Sequence, residues 1–420
     1  SSPEVSFREA VINSSPSDKG LYFPESIPVL ENNVLTGLKG AGLPEIGFEI
    51  MKHFVQPDLS LNQLRDIVAD ALSFEIPLVQ VEENIYSLEL FHGPTYAFKD
   101  VGARFLARCL GEFAKEETRE TIILVATSGD TGGAVANGFY GVEGVKVIIL
   151  YPSGKVSELQ EKQLTTLGGN ITALEVQGDF DDCQAMVKQA FLDSELNSRL
   201  NLTSANSINI ARWMPQSIYY AWMSLQMENP KESLVAVPSG NYGNVTAAML
   251  AKRMGFPLGK FLVCSNANDI VPRYLQSCEY EVLPTVSTYA NAMDVSNPSN
   301  FPRMQELYNH SFDKLIDDVT GFTLQDAQIL ETIRLCKNET GYLLDPHGAI
   351  GYAGLKEKLK IGQQGVFLET AHPIKFAPVM EKALGEQLNI PGFASELIKR
   401  EKKATTISNQ MEDLKAYLLG

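Results

Sequence analysis

The run Leu88-Glu-Leu-Phe-His-Gly-Pro-Thr-Tyr-Ala-Phe-Lys-Asp-Val-Gly-Ala-Arg104 decides how the rest of the chain is read. A short apolar strand, Tyr86 to Phe91, runs into a Gly93-Pro94 turn. One lysine, Lys99, follows directly behind Ala97-Phe98. Asp100 and Gly102 then open a helix whose apolar face is Phe105, Leu106, Cys109, Leu110 and Phe113. A lysine among aromatic and small residues at such a strand–loop–helix junction is partly desolvated. Desolvation lowers its pKa and frees the amine to form an imine with a carbonyl. A lysine in a loop is ordinarily a surface residue, and it is the other loops of the chain that decide against that reading here.

Outward from this stretch, the pattern beyond residue 120 becomes β–α–β. Ile122 to Val125 is a buried-strand run, Gly132 to Tyr140 a short helix of small residues, and Val145 to Leu150 and Ile171 to Val176 are further strands with a helix at 156–167 between them. A helix from Asp181 carries Cys183, Met186, Val187, Ala190 and Phe191 on one face. After a long helix around Ile218 to Met227 come a strand at Leu234 to Val237, a helix at Val245 to Met254 and a strand at Phe261 to Cys264. Residues 285–304 read as irregular. Helices at 324–337 and 348–360 precede a last strand, Val366 to Leu368, and the tail from Lys375 reads as helical and charged. Apolar strands alternating with helices predict an α/β fold of open, largely parallel sheets with helices on both faces. Upstream, residues 1–85 hold a turn-rich segment (Asn13 to Gly20), helical stretches around Phe48 to Phe54 and Leu61 to Phe74, and a helix-ending Pro77. They carry no chemical motif and are expected to form an N-terminal domain.

Composition narrows the function. At 420 residues the chain exceeds one compact core, and 44% hydrophobic with 20% charged residues describes a folded globular protein. The formal net charge of −16 excludes nucleic acid as a main partner, because that needs a basic footprint. An anionic substrate must then be met by a local cluster of Arg, Lys and backbone N–H groups. The five cysteines (Cys109, Cys183, Cys264, Cys278, Cys336) form no CxxC pair and the five histidines no HxxxH or HExxH spacing, so neither a disulfide frame nor a metal site is expected. No apolar run reaches membrane-spanning length and Ser-Ser-Pro-Glu-Val has no signal-peptide shape, which points to a cytoplasmic protein.

Three loops that directly follow expected strands are unusual. Strand 122–125 leads to Thr127-Ser128-Gly129-Asp130-Thr131-Gly132-Gly133, strand 234–237 to Pro238-Ser239-Gly240-Asn241-Tyr242-Gly243-Asn244, and strand 366–368 to Glu369-Thr370-Ala371-His372-Pro373. In a parallel sheet these carboxyl ends share one edge, where ligands of open α/β sheets bind. The glycines of Ser239 to Asn244 let backbone N–H groups turn inward just before a helix, as a phosphate cradle requires. The stretch lacks both the GK[ST] ending of a nucleotide P-loop and a GxGxxG, so neither nucleotide fold applies. Thr127 to Gly133 is a second anion-friendly turn suited to a carboxylate, with Asp130 or Thr131 as the expected cap of helix 132–140. Ser204 to Arg212 gathers amide, hydroxyl and guanidinium donors, Arg212 being the natural fork for a second phosphate, with Lys155 a further candidate for the same anion. His92, His347 and His372 lie beside these loops and are expected to make structural hydrogen bonds.

A reactive lysine, a phosphate cradle and a carboxylate turn together suit a pyridoxal phosphate enzyme acting on amino acids. The chain resembles the threonine synthase family, in the tryptophan-synthase-β-like (fold type II) group of such enzymes. The matching stretches are Leu90 to Asp100, Ala126 to Gly132, Ser204 to Arg212, Pro238 to Asn244, Asn291-Ala292-Met293-Asp294-Val295 and Thr370 to Pro373. The resemblance implies that Lys99 carries the cofactor in imine linkage, that Ser239, Gly240, Asn241, Tyr242, Gly243 and Asn244 hold its phosphate, and that Thr370 faces the pyridine nitrogen. It implies further that Thr127, Ser128, Gly129 and Thr131 receive the substrate carboxylate, with Asp130 bordering the cofactor's phenolic oxygen. Asn206, Ser207 and Arg212, with Lys155, are then the site for the phosphate of O-phosphohomoserine, the small-molecule substrate. A large cofactor domain (86–118 and 215–420), a small substrate-closing domain (119–214) and a monomer or homodimer belong to the same expectation. Two other functions remain to be told apart: a related dehydratase or β-replacing synthase, which needs no second phosphate site, and a non-catalytic phospholigand-binding protein, which has no use for Lys99.

Overall fold

The computed structural model describes residues 3–117 and 119–420. The expected domain boundary at 118 therefore falls outside the described residues, as do the first two positions. Among the described residues eleven strands run in chain order: β1 (Leu78–Glu82), β2 (Ile85–Glu89), β3 (Thr121–Ala126), β4 (Val145–Pro152), β5 (Ile171–Gln177), β6 (Asn201–Ser204), β7 (Leu234–Pro238), β8 (Lys260–Ser265), β9 (Val319–Thr323), β10 (Gly365–Glu369) and β11 (Thr405–Ser408). They make two sheets, ordered β1-β2-β10-β7-β8-β9 and β11-β5-β4-β3-β6. Among these strands of the described residues, β1–β2 is the one antiparallel pair. The reason lies in the side chains: β3, β7 and β10 are buried at every position, as strands covered on both faces by helices must be.

This topology positions the site. In the larger sheet β2, β10 and β7 are neighbours, paired in register from Ile85↔Gly365 to Glu89↔Glu369 and from Leu234↔Gly365 to Ala236↔Phe367. The Lys99 loop, the Thr370 loop and the Ser239 cradle thus leave side by side. In the smaller sheet β4, β3 and β6 are neighbours, so the Lys155, Thr127 and Asn206 loops leave together. Helix Lys99–Ala114 joins the two halves. Its Val101, Phe105 and Leu106 share one core with Ile123, Val125 and Phe139 around β3, and with Ile46, Ile50, Leu64 and Val68 of the N-terminal helices Leu43–Val55 and Leu61–Ala71.

Two expectations are corrected. The tail after Lys375 is not helical throughout, because β11 adds to the edge of β5 and helix Met411–Leu419 packs beside it. Residues read as part of the 215–420 domain thereby complete the smaller sheet, and β10 is not the last strand. The free edge of β5 supplies the pairing that Thr-Thr-Ile-Ser, with two of four residues exposed, would not seek alone. Secondly, neither Asp130 nor Thr131 caps the helix after β3. That helix, Asp130–Phe139, has Gly129 at its N-cap. The Thr127 hydroxyl accepts from Gly129 N (3.0 Å) and Gly132 N (2.9 Å) and closes the turn instead. Among the described residues no helix is long and apolar enough to cross a membrane.

Candidate active site

Lys99 is the first residue of its helix, and three contacts fix it. Phe98 N donates to Thr370 O (2.8 Å), His372 N donates to Tyr96 O (3.0 Å), and Ala97 bridges Ala371, so the loop before Lys99 is stitched to the loop after β10. On the other side Gly102 lies against Arg212, where a Cβ would sit 2.6 Å from the Arg212 carbonyl oxygen. The turn Gly93-Pro94-Thr95 is held by Asp100, which accepts from Thr95 N (2.9 Å) and Thr95 Oγ1 (2.5 Å). Burial takes the Lys99 amine down to about 8; Asp130 pulls it upward, and the nearby charges of Arg212 and Lys375 push it lower again. An amine with that value is about one-tenth neutral at pH 7 and about half neutral at pH 8, far more than an ordinary lysine, which is what an imine-forming or proton-moving lysine needs.

Asp130 is buried and ionised. Burial alone would raise its carboxyl, but the charges of Lys375 and Lys99 and hydrogen bonds from Lys375 and Gln160 hold it well below the usual range. Lys375 Nζ lies 2.7 Å from Asp130 Oδ1, and Gln160 Nε2 donates to the same oxygen at 2.9 Å. Gln160 is aimed by its own capping box with Ser157. Gly129, at φ +147°, has no room for a side chain there, since a Cβ would meet Gln160 Nε2 at 2.5 Å. Ser128 and Thr131 flank this turn, both partly exposed, whereas the Thr127 hydroxyl is spent inside it.

The cradle after β7 is built unevenly. Ser239 N donates to Cys264 O and Ser239 Oγ to Val237 O, each at 2.9 Å, so Ser239 still belongs to the sheet ladder. Gly240 admits the 291–293 turn, as a Cβ would lie 2.8 Å from Met293 Cα. Tyr242 turns the chain at φ +60° and caps helix Gly243–Arg253, whose first N–H groups have no partner within the helix. Inside this turn Asn244 accepts from the Tyr220 hydroxyl (2.7 Å), while its buried Nδ2 has no hydrogen-bond partner among the described residues.

The 204–212 segment is tied to that cradle by two residues that sequence reasoning missed. Asn300 donates through Nδ2 to Ser207 Oγ and to Asn241 O, both at 3.1 Å. Arg303, fully buried against Trp213, donates to Ser207 O (3.0 Å), Ile208 O (2.7 Å), Asn300 Oδ1 (2.7 Å) and Tyr22 O (3.0 Å). Asn206 is partly exposed at the rim of this segment. Arg212 is buried, and its Nε and Nη1 have no hydrogen-bond partner among the described residues. Burial brings its pKa down to about 10 although Tyr219 and Asp100 favour the charged form. Lys155 is exposed on the loop after β4, and no hydrogen bond or ion pair of its side chain ties it to these residues.

Thr370 is buried at the end of β10, and strand alternation sends its neighbour Glu369 to the opposite face. There Glu369 accepts from Asp345 N, and burial beside Asp345 pushes its carboxyl up strongly. Asp345 accepts from Ala371 N (3.1 Å) and lies 2.7 Å from His347 Nδ1, while His347 Nε2 accepts from Ala292 N (3.3 Å). His372 accepts from Ile374 N (3.1 Å), and His92 contacts Glu89 at 2.7 Å. All three histidines make structural hydrogen bonds, as expected.

The residues present suit pyridoxal phosphate. A desolvated lysine interacts with an ionised carboxylate, its loop is bonded to Thr370, and an amide donor without a partner among the described residues stands in a helix-start cradle. The Arg212 guanidinium keeps two buried nitrogens without a partner among the described residues, as a second anion site would require.

Comparison with known proteins agrees. Residues 74–369 match the family of pyridoxal-phosphate dependent enzymes, residues 1–72 the threonine synthase N terminus and residues 348–418 the threonine synthase C-terminal family. The threonine synthase of Haemophilus influenzae is 46% identical over 99% of this chain and 97% of that protein. The crystal structure of threonine synthase from Escherichia coli superposes with a TM-score of 0.93 at 41% identity, covering 99% of this chain and 96% of that one. The PLP-bound threonine synthase from Brucella melitensis gives 0.93 at 33% identity over 99% and 97%. Maize serine racemase, at 13% identity and a TM-score of 0.53 over 72% of this chain and 84% of that one, shares only the fold.

Proposed function

The chain belongs to the threonine synthase family of pyridoxal-phosphate-dependent enzymes, and on that premise we propose how its residues divide the reaction: release of inorganic phosphate from O-phospho-L-homoserine, with addition of water at the β-carbon to give L-threonine. Bound pyridoxal phosphate supplies the electron sink for carbanions beside the substrate's amine. Lys99 is both the residue that holds the cofactor and, as a neutral amine, the base that takes protons from the substrate's α- and β-carbons. The Asn241 to Asn244 turn, with its helix-start N–H groups and Asn244 Nδ2, holds the cofactor phosphate. Gly240 and Ser239 shape that turn, while Thr370 gives the pyridine nitrogen a neutral hydroxyl neighbour. Ser128, Gly129 and Thr131 take the substrate carboxylate at the start of helix Asp130–Phe139, with Thr127 folding the turn.

The observation that carries the substrate is Arg212. A buried guanidinium with two unpartnered nitrogens beside Lys99 is expensive unless an anion completes it, and a departing phosphate is such an anion. Ser207 and Asn206 complete that site, and Lys155 reaches it only if the smaller sheet closes inward. That sheet, with β11 and helix Met411–Leu419 joined to residues 119–214, is the unit that closes on substrate, while the six-stranded sheet carries the cofactor. The five free cysteines, four of them buried, suit a reducing cytoplasm.

The test is inorganic phosphate release from O-phosphohomoserine, set against ketoacid formation from threonine or serine. Phosphate with threonine as product supports the reading; ketoacid without phosphate assigns a dehydratase instead.

A further inference from the structure

Lys375 has no part in the scheme above, yet it is the most deeply buried cation near Lys99. Its side chain is 0% exposed, on the short turn Pro373–Phe376. The ammonium reaches Asp130 Oδ1 at 2.7 Å and Thr95 O at 2.8 Å. Gln160 Nε2 also takes Oδ1, whereas Asp130 Oδ2 accepts no hydrogen bond from any described residue. The carboxylate is thus gripped by one oxygen only. Gln163 Nε2, at 3.0 Å from Thr95 O, fixes the other end of the same network.

A buried ion pair returns little net stability, because two desolvation penalties offset the attraction. Stability is therefore a poor reason for placing a second lysine here. Two cations share one carboxylate: Lys375 is pinned to it, and Lys99 feels the same charge without a salt bridge to it. If Lys375 carried no charge, the buried carboxylate would need another counter-ion, and Lys99 is the cation that already interacts with it. Around this cluster also stand Asp100, engaged by Thr95, and Tyr96, Arg104, Arg212, Tyr219 and His372. None of them makes a salt bridge to Asp130.

We propose that Lys375 is a positioning residue for the reactive amine: by occupying Oδ1 of Asp130 it stops that carboxylate from taking Lys99 as its ion-pair partner. The proposal rests on the reading that Lys99 holds the cofactor. Without the Lys375 charge, the Lys99 nitrogen gains an unshared anion and loses a repelling cation. Both changes raise its affinity for a proton. A purely structural Lys375 would alter folding and cofactor content but not proton affinity.

The experiment is a pH titration of the visible band in the full chain loaded with pyridoxal phosphate. Lys375→Met is expected to move the midpoint upward by about one unit or more, tenfold in proton affinity. Lys375→Gln, which keeps a donor for Oδ1 and is the safer variant to fold, moves it in the same direction. Lys375→Arg keeps the charge and leaves the midpoint near that of the natural protein. The double variant Lys375→Met with Asp130→Asn, which removes both charges, brings it back toward that value. A folded, cofactor-loaded Lys375→Gln protein with an unmoved midpoint would overturn the proposal. Borohydride reduction and peptide mapping of the same samples separate the two readings. Cofactor on Lys99 with unmoved midpoints sinks only the role of Lys375, whereas cofactor on Lys375 sinks the assignment of Lys99 as well.

Discussion

Replacing Arg212 with methionine separates a substrate-binding guanidinium from a structural one. The apolar stem is retained, so packing against the buried surroundings changes little. In the protein alone the Nε and Nη1 groups have no partner to lose. Each buried donor without an acceptor costs about 1–3 kcal/mol, so thermal stability should hold or rise slightly. On the proposed assignment, those same nitrogens give the phosphorylated substrate charge-assisted hydrogen bonds worth about 1.5–3 kcal/mol each. Losing two removes about 3–6 kcal/mol, a fall of roughly 10²- to 10⁴-fold in kcat/KM. The assay is initial-rate phosphate release over a range of O-phosphohomoserine concentrations, beside thermal unfolding and the visible spectrum of the loaded enzyme. A drop of several degrees in Tm with less than a tenfold loss in kcat/KM would refute the reasoning. Loss of the visible band would instead assign the guanidinium to the cofactor's phosphate.

Four further outcomes are expected. Lys99→Ala abolishes both turnover and the borohydride-trapped cofactor; survival of the visible band would locate the linkage on another lysine. In the cofactor-free chain, the Lys99 amine titrates at about 8 when folded against an ordinary 10.5, so the unfolded chain binds the extra proton between those values and stability rises with pH across that window. Denaturant midpoints measured from pH 8 to 10.5 should show that rise, and Lys99→Met should remove this contribution. Gly240→Ala forces a methyl to 2.8 Å from Met293 Cα, which should cost about 1–3 kcal/mol of overpacking and weaken cofactor retention; unchanged Tm and cofactor content would count against the close approach. Arg303→Lys loses the fork that spans Tyr22 O, Ser207 O and Ile208 O, and a raised KM for O-phosphohomoserine together with a lower Tm is expected. An unchanged KM would disconnect the N-terminal segment from the substrate site.

What could be read from the chain and what could not follow one physical division. The Lys99, Thr370 and Ser239 loops were legible together because a parallel sheet forces consecutive carboxyl ends onto one edge, and β2, β10 and β7 are neighbours in it. The same reasoning did not reach the other half of the site: β3, before the Thr127 turn, lies in the second sheet, and β6, before Asn206, was not among the expected strands. It misjudged Asp130 as a helix cap because composition does not say which hydrogen bonds a turn keeps for itself. Thr127 closes the first turn, and the ladder to Cys264 takes the N–H of Ser239. Asn300 and Arg303 escaped for a related reason: they stand in a stretch that looks like a polar loop, and their meaning comes from the distant carbonyls they meet. Lys375 is the sharpest case. Five residues after Thr370 it reads as one of many charges in a basic and acidic tail, and Coulomb's law gives such a charge little reach in water. Docking of the 373–376 turn onto Thr95 takes it out of water, and only then does its charge weigh on Lys99. The position of a charge in the sequence sets where it can go; the depth at which it is buried sets whether it acts on the chemistry.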